Sequence, residues 1–233
     1  MSTTVLAYLL LLLTLVSYYF AKRLYQQFPY LLLSPAFFVP IVLVTGMVYF
    51  NIPYATYMQE SHWLVWMLGP ATVAFAIPIY EYRNIIREHL FSISLGVFAG
   101  MLAGILSAFY LARLFKFDDA TTYSLMSRSI STPFAMELTE HVGGSVELVI
   151  LFTMMTGVAG MLCGDLVLIA LKLKSHFAHG AALGNAAHGF GTTKAYMRHR
   201  EEGVVASLTM VLAGVFMVLA GPFLIRLILR LTG

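Results

Sequence analysis

Four stretches of this chain, residues 2–21, 30–50, 90–112 and 203–225, hold 20 to 23 residues each without one Asp, Glu, Lys, Arg or His. At about 1.5 Å of rise per residue, each makes about 30 Å of helix, the thickness of a bilayer core. Composition agrees: the chain is 60% hydrophobic and 11% charged, against about 25% charged in soluble domains. The expected fold is all-α, a polytopic transmembrane helical bundle. A length of 233 residues leaves room for one membrane domain and no soluble lobe.

The net charge of +3 is no nucleic-acid signal, because the cations sit at segment ends rather than along one face. Cys163 is the single cysteine, so no intrachain disulfide forms. The N-terminal run is expected to stay as a helix. No basic residue precedes it, and Lys22 and Arg23 follow it without a small-residue cleavage site. Those two cations put its end on the cytoplasmic side, and a loop at 51–61 without Lys or Arg fits the outer side.

Further on, 63–80 is broken by Gly69-Pro70 and Pro78, 81–88 carries Arg83 and Arg87 and reads as cytoplasmic, and 148–171 spans. Charge bias does not close this topology. If Arg83/Arg87 and Lys172/Lys174 share one side, an even number of crossings separates them. Full crossings by 90–112, 121–140 and 148–171 make three. Either 121–140 is a re-entrant hairpin or one basic cluster faces outward.

Two segments are apolar by position but not by composition. Residues 180–195 read GAALGNAAHGFGTTKA, and residues 127–140 read SRSISTPFAMELTE. Chain of this kind survives at membrane depth only inside protein or along a wet cavity. A broken helix offers free amides and about half a positive charge at its N-terminus, which suits a small carboxylate. Ser131 and Thr132 before Pro133 fit such a start. Gly189, Gly191 and Thr192 would let amides approach a ligand closely, and Gly69-Pro70 with Thr72 would add a third terminus. The expected carboxylate-binding set is Thr72, Ser131, Thr132, Asn185, His188, Gly189, Gly191 and Thr192.

Each has a plainer role open to it. Ser and Thr in membrane helices usually bond a carbonyl one turn back, and small residues allow close packing. Arg128, Glu137, Asp165 and Lys194 are the candidates for ion pairing or proton coupling, since acids at a helix centre cost roughly 2.5–3.5 kcal/mol and are rarely idle. His188 is the one histidine inside the small-residue segment; the others lie mainly near segment ends, where a solvated role is expected.

The hexapeptide Ala99-Gly100-Met101-Leu102-x-Gly104 recurs as Ala159-Gly160-Met161-Leu162-x-Gly164, 60 residues on. Chance in a Gly/Ala/Met-rich vocabulary is one reading. The other is a duplicated unit, with repeats at 61–120 and 121–180 behind a two-helix scaffold at 1–60, all within a core of 61–233. Repeats of this sort, when inverted, build alternating access.

Leu68–Tyr80 (LGPATVAFAIPIY) resembles the signature GPATVALAVPLY, Ser129–Glu137 (SISTPFAME) resembles SVTTPIAME, and Ala187–Thr192 (AHGFGT) resembles SHGIGT. In that order they resemble the LrgB/CidB family, which includes the membrane domain of the plastidic glycolate/glycerate translocator; the resemblance runs from about Leu68 to the C-terminus. It implies two traditions. One is holin-like or antiholin-like control of murein hydrolases with a small LrgA/CidA-type partner. The other is movement of small monocarboxylates such as glycolate, glycerate, lactate or pyruvate. Ser127-Arg128 stands where the family has Pro-Lys, and Gly164-Asp165 where it has Gly-Pro.

A lesion-forming protein has little use for unwound polar segments at mid-bilayer, so the residues favour a secondary transporter, with the holin-like role as the alternative. No nucleophile elbow, HExxH or clustered metal ligands stand in the sequence, so neither enzyme activity, metal nor cofactor is expected. The expected surroundings are the lipid bilayer of a bacterial inner membrane, with a second copy of the chain completing a homodimer.

Overall fold

The computed structural model describes residues 3–28, 30, 33–74 and 76–232, with residues 72, 78, 79 and 232 described by backbone alone. Among them every regular element is a helix: α1 (Thr3–Gln27), α2 (Pro35–Tyr49), α3 (Tyr54–Trp66), α4 (Leu68–Ala74), α5 (Ala76–Glu81), α6 (Arg83–Leu114), α7 (Asp119–Ser127), α8 (Thr132–Val142), α9 (Val146–Ala170), α10 (His176–Arg198) and α11 (Arg200–Thr232). Four of them, α1, α6, α9 and α11, are long and apolar enough to cross a membrane. The chain is a multi-pass membrane protein.

Boundaries move where polarity and helicity part company. The stretch 81–88, read from its charges as lying outside the membrane, is helical and opens α6 at Arg83, because charged residues extend a helix readily once it leaves lipid. The run 30–50 yields a helix of only 15 residues, since Pro35 and the residue before it favour a start there.

The chain forms two compact units, Met1–Pro70 and Ala71–Gly233. In the first, α1 packs on α2 and α3 around Ala21, Val39 and Leu43. The stretch expected to be interrupted falls into α3, α4 and α5.

The second unit is built on α6, α9 and α11. Along α6 the buried residues Ile93, Val97, Met101 and Ile105 recur every fourth position, one stripe of a helix. They join Met126, Ile130, Leu138, Met217 and Ile225 in one apolar core. Phe91, Leu95 and Leu114 point outward, as lipid-facing residues must.

Between the long helices lie two folded-back segments. In α10, His188 has φ 50° and ψ −126°, outside helical geometry. A straight helix would hold residues 179 and 198 about 28 Å apart. Instead Arg198 Nη2 lies 3.2 Å from His179 Nδ1, and Gly191 lies against the Leu183 carbonyl and the Ala187 Cβ. The two arms of α10 therefore run antiparallel about His188. The pair α7 and α8 does the same through residues 128–131: the Ser145 amide donates to Ser124 Oγ at 2.8 Å, and that hydroxyl reaches the Ser145 carbonyl at 3.1 Å.

The hairpins enter from opposite ends. The base of α7–α8 adjoins the end of α6 and the start of α9. The base of α10 adjoins the other end, where the Phe177 ring lies tilted against His89 at 4.4 Å between ring centroids. Because α7–α8 returns to the end it left, α6 and α9 bring Arg83, Arg87, Lys172 and Lys174 to one end. That removes the conflict between these two clusters, while Arg113, Lys116, Arg226 and Arg230 fall at the other end.

A prediction follows from the arm contact in α10. Gly191→Val has no room for its side chain without parting the arms, so it lowers thermal stability in detergent by about 1–3 kcal/mol. Gly189→Ala, with nothing within 4 Å of the added carbon, leaves stability close to the parent value.

Candidate functional site

The tips of the two hairpins meet at half the height of the long helices. His188 is 3% exposed, and its ring lies beside the Ser129 backbone and the charge of Arg128. Neither ring nitrogen meets hydrogen-bond geometry with any protein group. Arg128 is fixed by one hydrogen bond, from Nη1 to Thr156 Oγ1 on α9 at 2.6 Å. Asn185, one turn before His188, donates weakly from Nδ2 to the Gly96 carbonyl at 3.4 Å, and its buried Oδ1 has no partner. On α9 the buried Thr153 hydroxyl is also unpartnered, one turn before Thr156. A buried polar atom without a partner costs about 1–3 kcal/mol, so four at one level, Nδ1 and Nε2 of His188 with Asn185 Oδ1 and Thr153 Oγ1, need a reason.

Glycines let the tips come this close. A side-chain carbon at Gly100 would strike Asn185, at Gly104 Ser129, at Gly157 the Phe190 ring, and at Gly160 Ala187. The two copies of the Ala-Gly-Met-Leu-x-Gly stretch thus face the tips from α6 and from α9.

The backbone at His188 is itself unusual. Its φ and ψ belong to a region that glycine fills, as at the second residue of a type II′ turn. Non-glycine residues held so cost about 1–3 kcal/mol and cluster at functional sites.

The remaining expected residues fall around this point. Ser131 is the N-cap of α8 but makes no capping bond with its side chain; Thr132 and Pro133 open the helix, leaving its first amides without a side-chain acceptor. Thr192 is buried and its hydroxyl reaches Met210 Sδ on α11 at 3.8 Å. Gly189 is exposed, and Gly191 serves the contact between the arms. Thr72 lies in α4, its side chain outside the described residues.

The charged candidates lie elsewhere. Glu137 is exposed and faces His141 at 3.5 Å. Asp165 pairs with Lys194 at 2.7 Å and with Arg198 at 2.5 Å, and Lys194 also donates to the Met161 carbonyl at 2.6 Å. Arg198 bridges onward to Glu202 at 2.8 Å, where His176 and His179 converge on the same carboxylate. Glu202 is 1% exposed. Asp165 and Lys194 pair as the sequence allows, whereas the extension to Arg198, Glu202 and the two histidines was not foreseen, His176 and His179 being read as solvated segment ends. One signal was present: His176-x-x-His179 lies on one face of α10.

A cavity of about 320 Å³ lined by Tyr82, Ile85, His199, Arg200, Glu201, Val204 and Val205 lies at this end. It is about 27 Å along α6 from the tips.

Comparison with known proteins gives a consistent result. The profile of the LrgB-like family matches residues 14–227, so the likeness begins well before Leu68 and takes in α1 to α3. YwbG of Bacillus subtilis is 36% identical over 205 residues, 88% of this chain and 91% of its own. YxaC of the same organism is 34% identical over 216 residues, 92% and 94% of the two chains. Holin-like protein CidB of Staphylococcus aureus is 33% identical over 215 residues, again 92% and 94%. No solved structure matches.

Two stability measurements check the site. His188→Gly relieves the backbone and keeps at least the parental melting temperature, whereas His188→Ala falls below it. Glu202→Ala takes the buried carboxylate from His179, His176 and Arg198, which are themselves 13%, 51% and 32% exposed, and costs about 1–3 kcal/mol. Asp165→Asn, on a side chain 43% exposed, costs well under that after solvent screening.

Proposed function

The chain belongs to the LrgB-like family of membrane proteins, and on that footing we propose that it is a secondary transporter of small monocarboxylates of the glycolate, glycerate, lactate or pyruvate type. The observation that carries the reading is the meeting of two oppositely entering hairpin tips, with the unpartnered nitrogens of His188 beside Arg128. A carboxylate there takes charge-assisted hydrogen bonds from Arg128 and from His188, and the free amides at the start of α8 add partial positive charge. Ser131, Thr132 and Asn185 give the short polar contacts that fix its hydroxyl or keto group. Thr153 belongs with them.

Alternating access follows from pseudo-symmetry. Each long helix is succeeded by a hairpin that enters from the end just reached: α6 by α7–α8, α9 by α10. The 60-residue echo keeps this register, from Gly100 to Gly160 on the spans and from Ser129 to Gly189 near the tips. On this reading the repeats are 83–142 and 143–202, displaced from 61–120 and 121–180. Inverted units of this kind exchange conformations, opening one end as the other closes. Glu137, exposed beside His141, has no part in the site. The protein acts in the inner membrane of a bacterium, as a homodimer.

A second reading, holin-like or antiholin-like control of lysis with a small LrgA/CidA-type partner, is favoured by the name of the relative at 33% identity. Lesion formation needs self-associating helices and gives no role to buried polar atoms between hairpin tips.

Proteoliposomes separate the two. Uptake of labelled glycolate, lactate or pyruvate is expected, and Thr132→Val or His188→Ala should each lower it about tenfold or more. Uptake indifferent to both substitutions removes the site; leakage of a trapped dye without carboxylate selectivity favours the holin-like role.

A further inference from the structure

We propose that Nδ1 of His176, Nδ1 of His179 and Oε1 of Glu202 hold a zinc ion at the base of the α10 hairpin, three protein ligands with a fourth position open to water. Nothing in this depends on what the protein carries across the membrane.

The three atoms already converge. They lie within 4.8 Å of one another, and Glu202 Oε1 is 2.8 Å from His176 Nδ1 and 3.0 Å from His179 Nδ1. Ligands on a tetrahedral zinc, at bonds of about 2.0–2.1 Å, stand about 3.3 Å apart. An ion therefore needs the carboxylate oxygen to draw back from each ring by only about 0.3–0.5 Å. Two imidazole nitrogens and one carboxylate oxygen suit zinc, whereas magnesium and calcium take oxygen ligands.

The groups that orient such ligands are also in place. His179 Nε2 lies 2.9 Å from the Leu173 carbonyl. A carbonyl only accepts, so Nε2 carries hydrogen and Nδ1 of the neutral ring turns a lone pair to Glu202. Histidines that ligate metals are commonly fixed in this way, by giving the other N–H to a carbonyl. Lone pair then faces carboxylate oxygen, acceptor against acceptor, and a cation between the two relieves it. Glu202 is divided likewise: Arg198 Nε donates to Oε2 at 2.8 Å, which leaves Oε1 for the ion. The His176 ring is held against that of His199, with centroids 4.2 Å apart.

Arg198 Nη2 stands 3.2 Å from His179 Nδ1, a contact it gives up when the ion takes the lone pair. Its charge is offset by Asp165 at 2.5 Å, and its Nε stays on Glu202. The carboxylate is sheltered, Glu202 being 1% exposed. The His176 side chain is 51% exposed and leaves a way in from water.

The place in the fold gives the ion its use. His176 opens α10 and Glu202 lies in the first turn of α11, so an ion on both closes residues 176–202 into a ring with His188 on its far side. Gly180 permits the closure, since a side-chain carbon there would strike the Glu202 carbonyl. Zinc fixes the first arm of the hairpin to α11 and adds its binding free energy to that of the fold. The donor set is hidden in the sequence because Glu202 stands 23 positions from His179.

The test uses tag-free protein in detergent, stripped of metal, exposed to zinc, passed through gel filtration and assayed for metal by mass spectrometry. About one zinc per chain is expected, with absorption-edge spectra showing two imidazoles at about 2.0–2.1 Å. An orienting partner is worth about 10–100-fold in metal affinity, and a direct ligand more. Against a chromogenic chelator, His176→Ala and Glu202→Gln should therefore each raise the dissociation constant by about 100-fold or more. Of the two, His176→Ala removes a half-exposed ring and keeps the test sound if Glu202→Gln fails to fold. Cys163→Ser, which removes the single thiol, binds zinc as the parent does. A parent that retains no zinc, its cluster held by hydrogen bonds alone, overturns the proposal. So does zinc retained equally by His176→Ala, or zinc lost with Cys163→Ser.

Discussion

A helix broken in the middle of a bilayer exposes amides and carbonyls that lipid cannot satisfy, and everything in the second unit answers that constraint. The chain turns at His188 and at residues 128–131, in both cases where other helices wrap the turn. Glycines at 100, 104, 157 and 160 bring α6 and α9 close enough to enclose the tips. Larger residues there would hold the long helices away and leave the turns in contact with lipid tails.

The enclosure is not a seal of apolar side chains. Arg128, Asn185, Thr153 and His188 occupy it with incomplete hydrogen bonding, while the apolar core lies along the stripe from Ile93 to Ile105 and the residues packed on it. The charges are also separated by height. Asp165, Lys194, Arg198 and Glu202 pair with one another at the base of α10. The tip keeps Arg128 as its cation, held by a neutral hydroxyl rather than an acid. A positive group paired with a hydroxyl retains the field that an anion would feel; one paired with a carboxylate would not.

The long uncharged runs made the helices legible from sequence, because a bilayer allows so few structures. The small-residue segment at 180–195 was legible for the same reason read in reverse: nothing in it could face lipid. Helix ends were less so, since Arg83 and Arg87 mark where lipid stops and not where α6 stops. Asp165 and Lys194 were legible as ion-pair candidates, but the rest of the cluster was not, because Asp165 and Arg198 lie 33 positions apart and only the folding back of α10 joins them. Glu137 looked buried by its neighbours, yet on α8 it sits on the outer face beside His141. Periodicity gives the faces of a helix, but the packing of hairpins decides which face is inside.

The composition of α10 also governs how such a molecule comes to be built. With His176, His179, Asn185, His188, Lys194 and Arg198 within 23 residues, the segment is too polar to partition into lipid by itself. Its berth is lined by α9, through Gly157 and Gly160, and by α11, which meets Gly180 and Gly184. Since α11 follows α10 in the chain, the newly synthesised segment must wait at the water boundary until that helix arrives. The arch can therefore dock only once both of its walls are in place, so the centre of the second unit takes shape after the helices that line it.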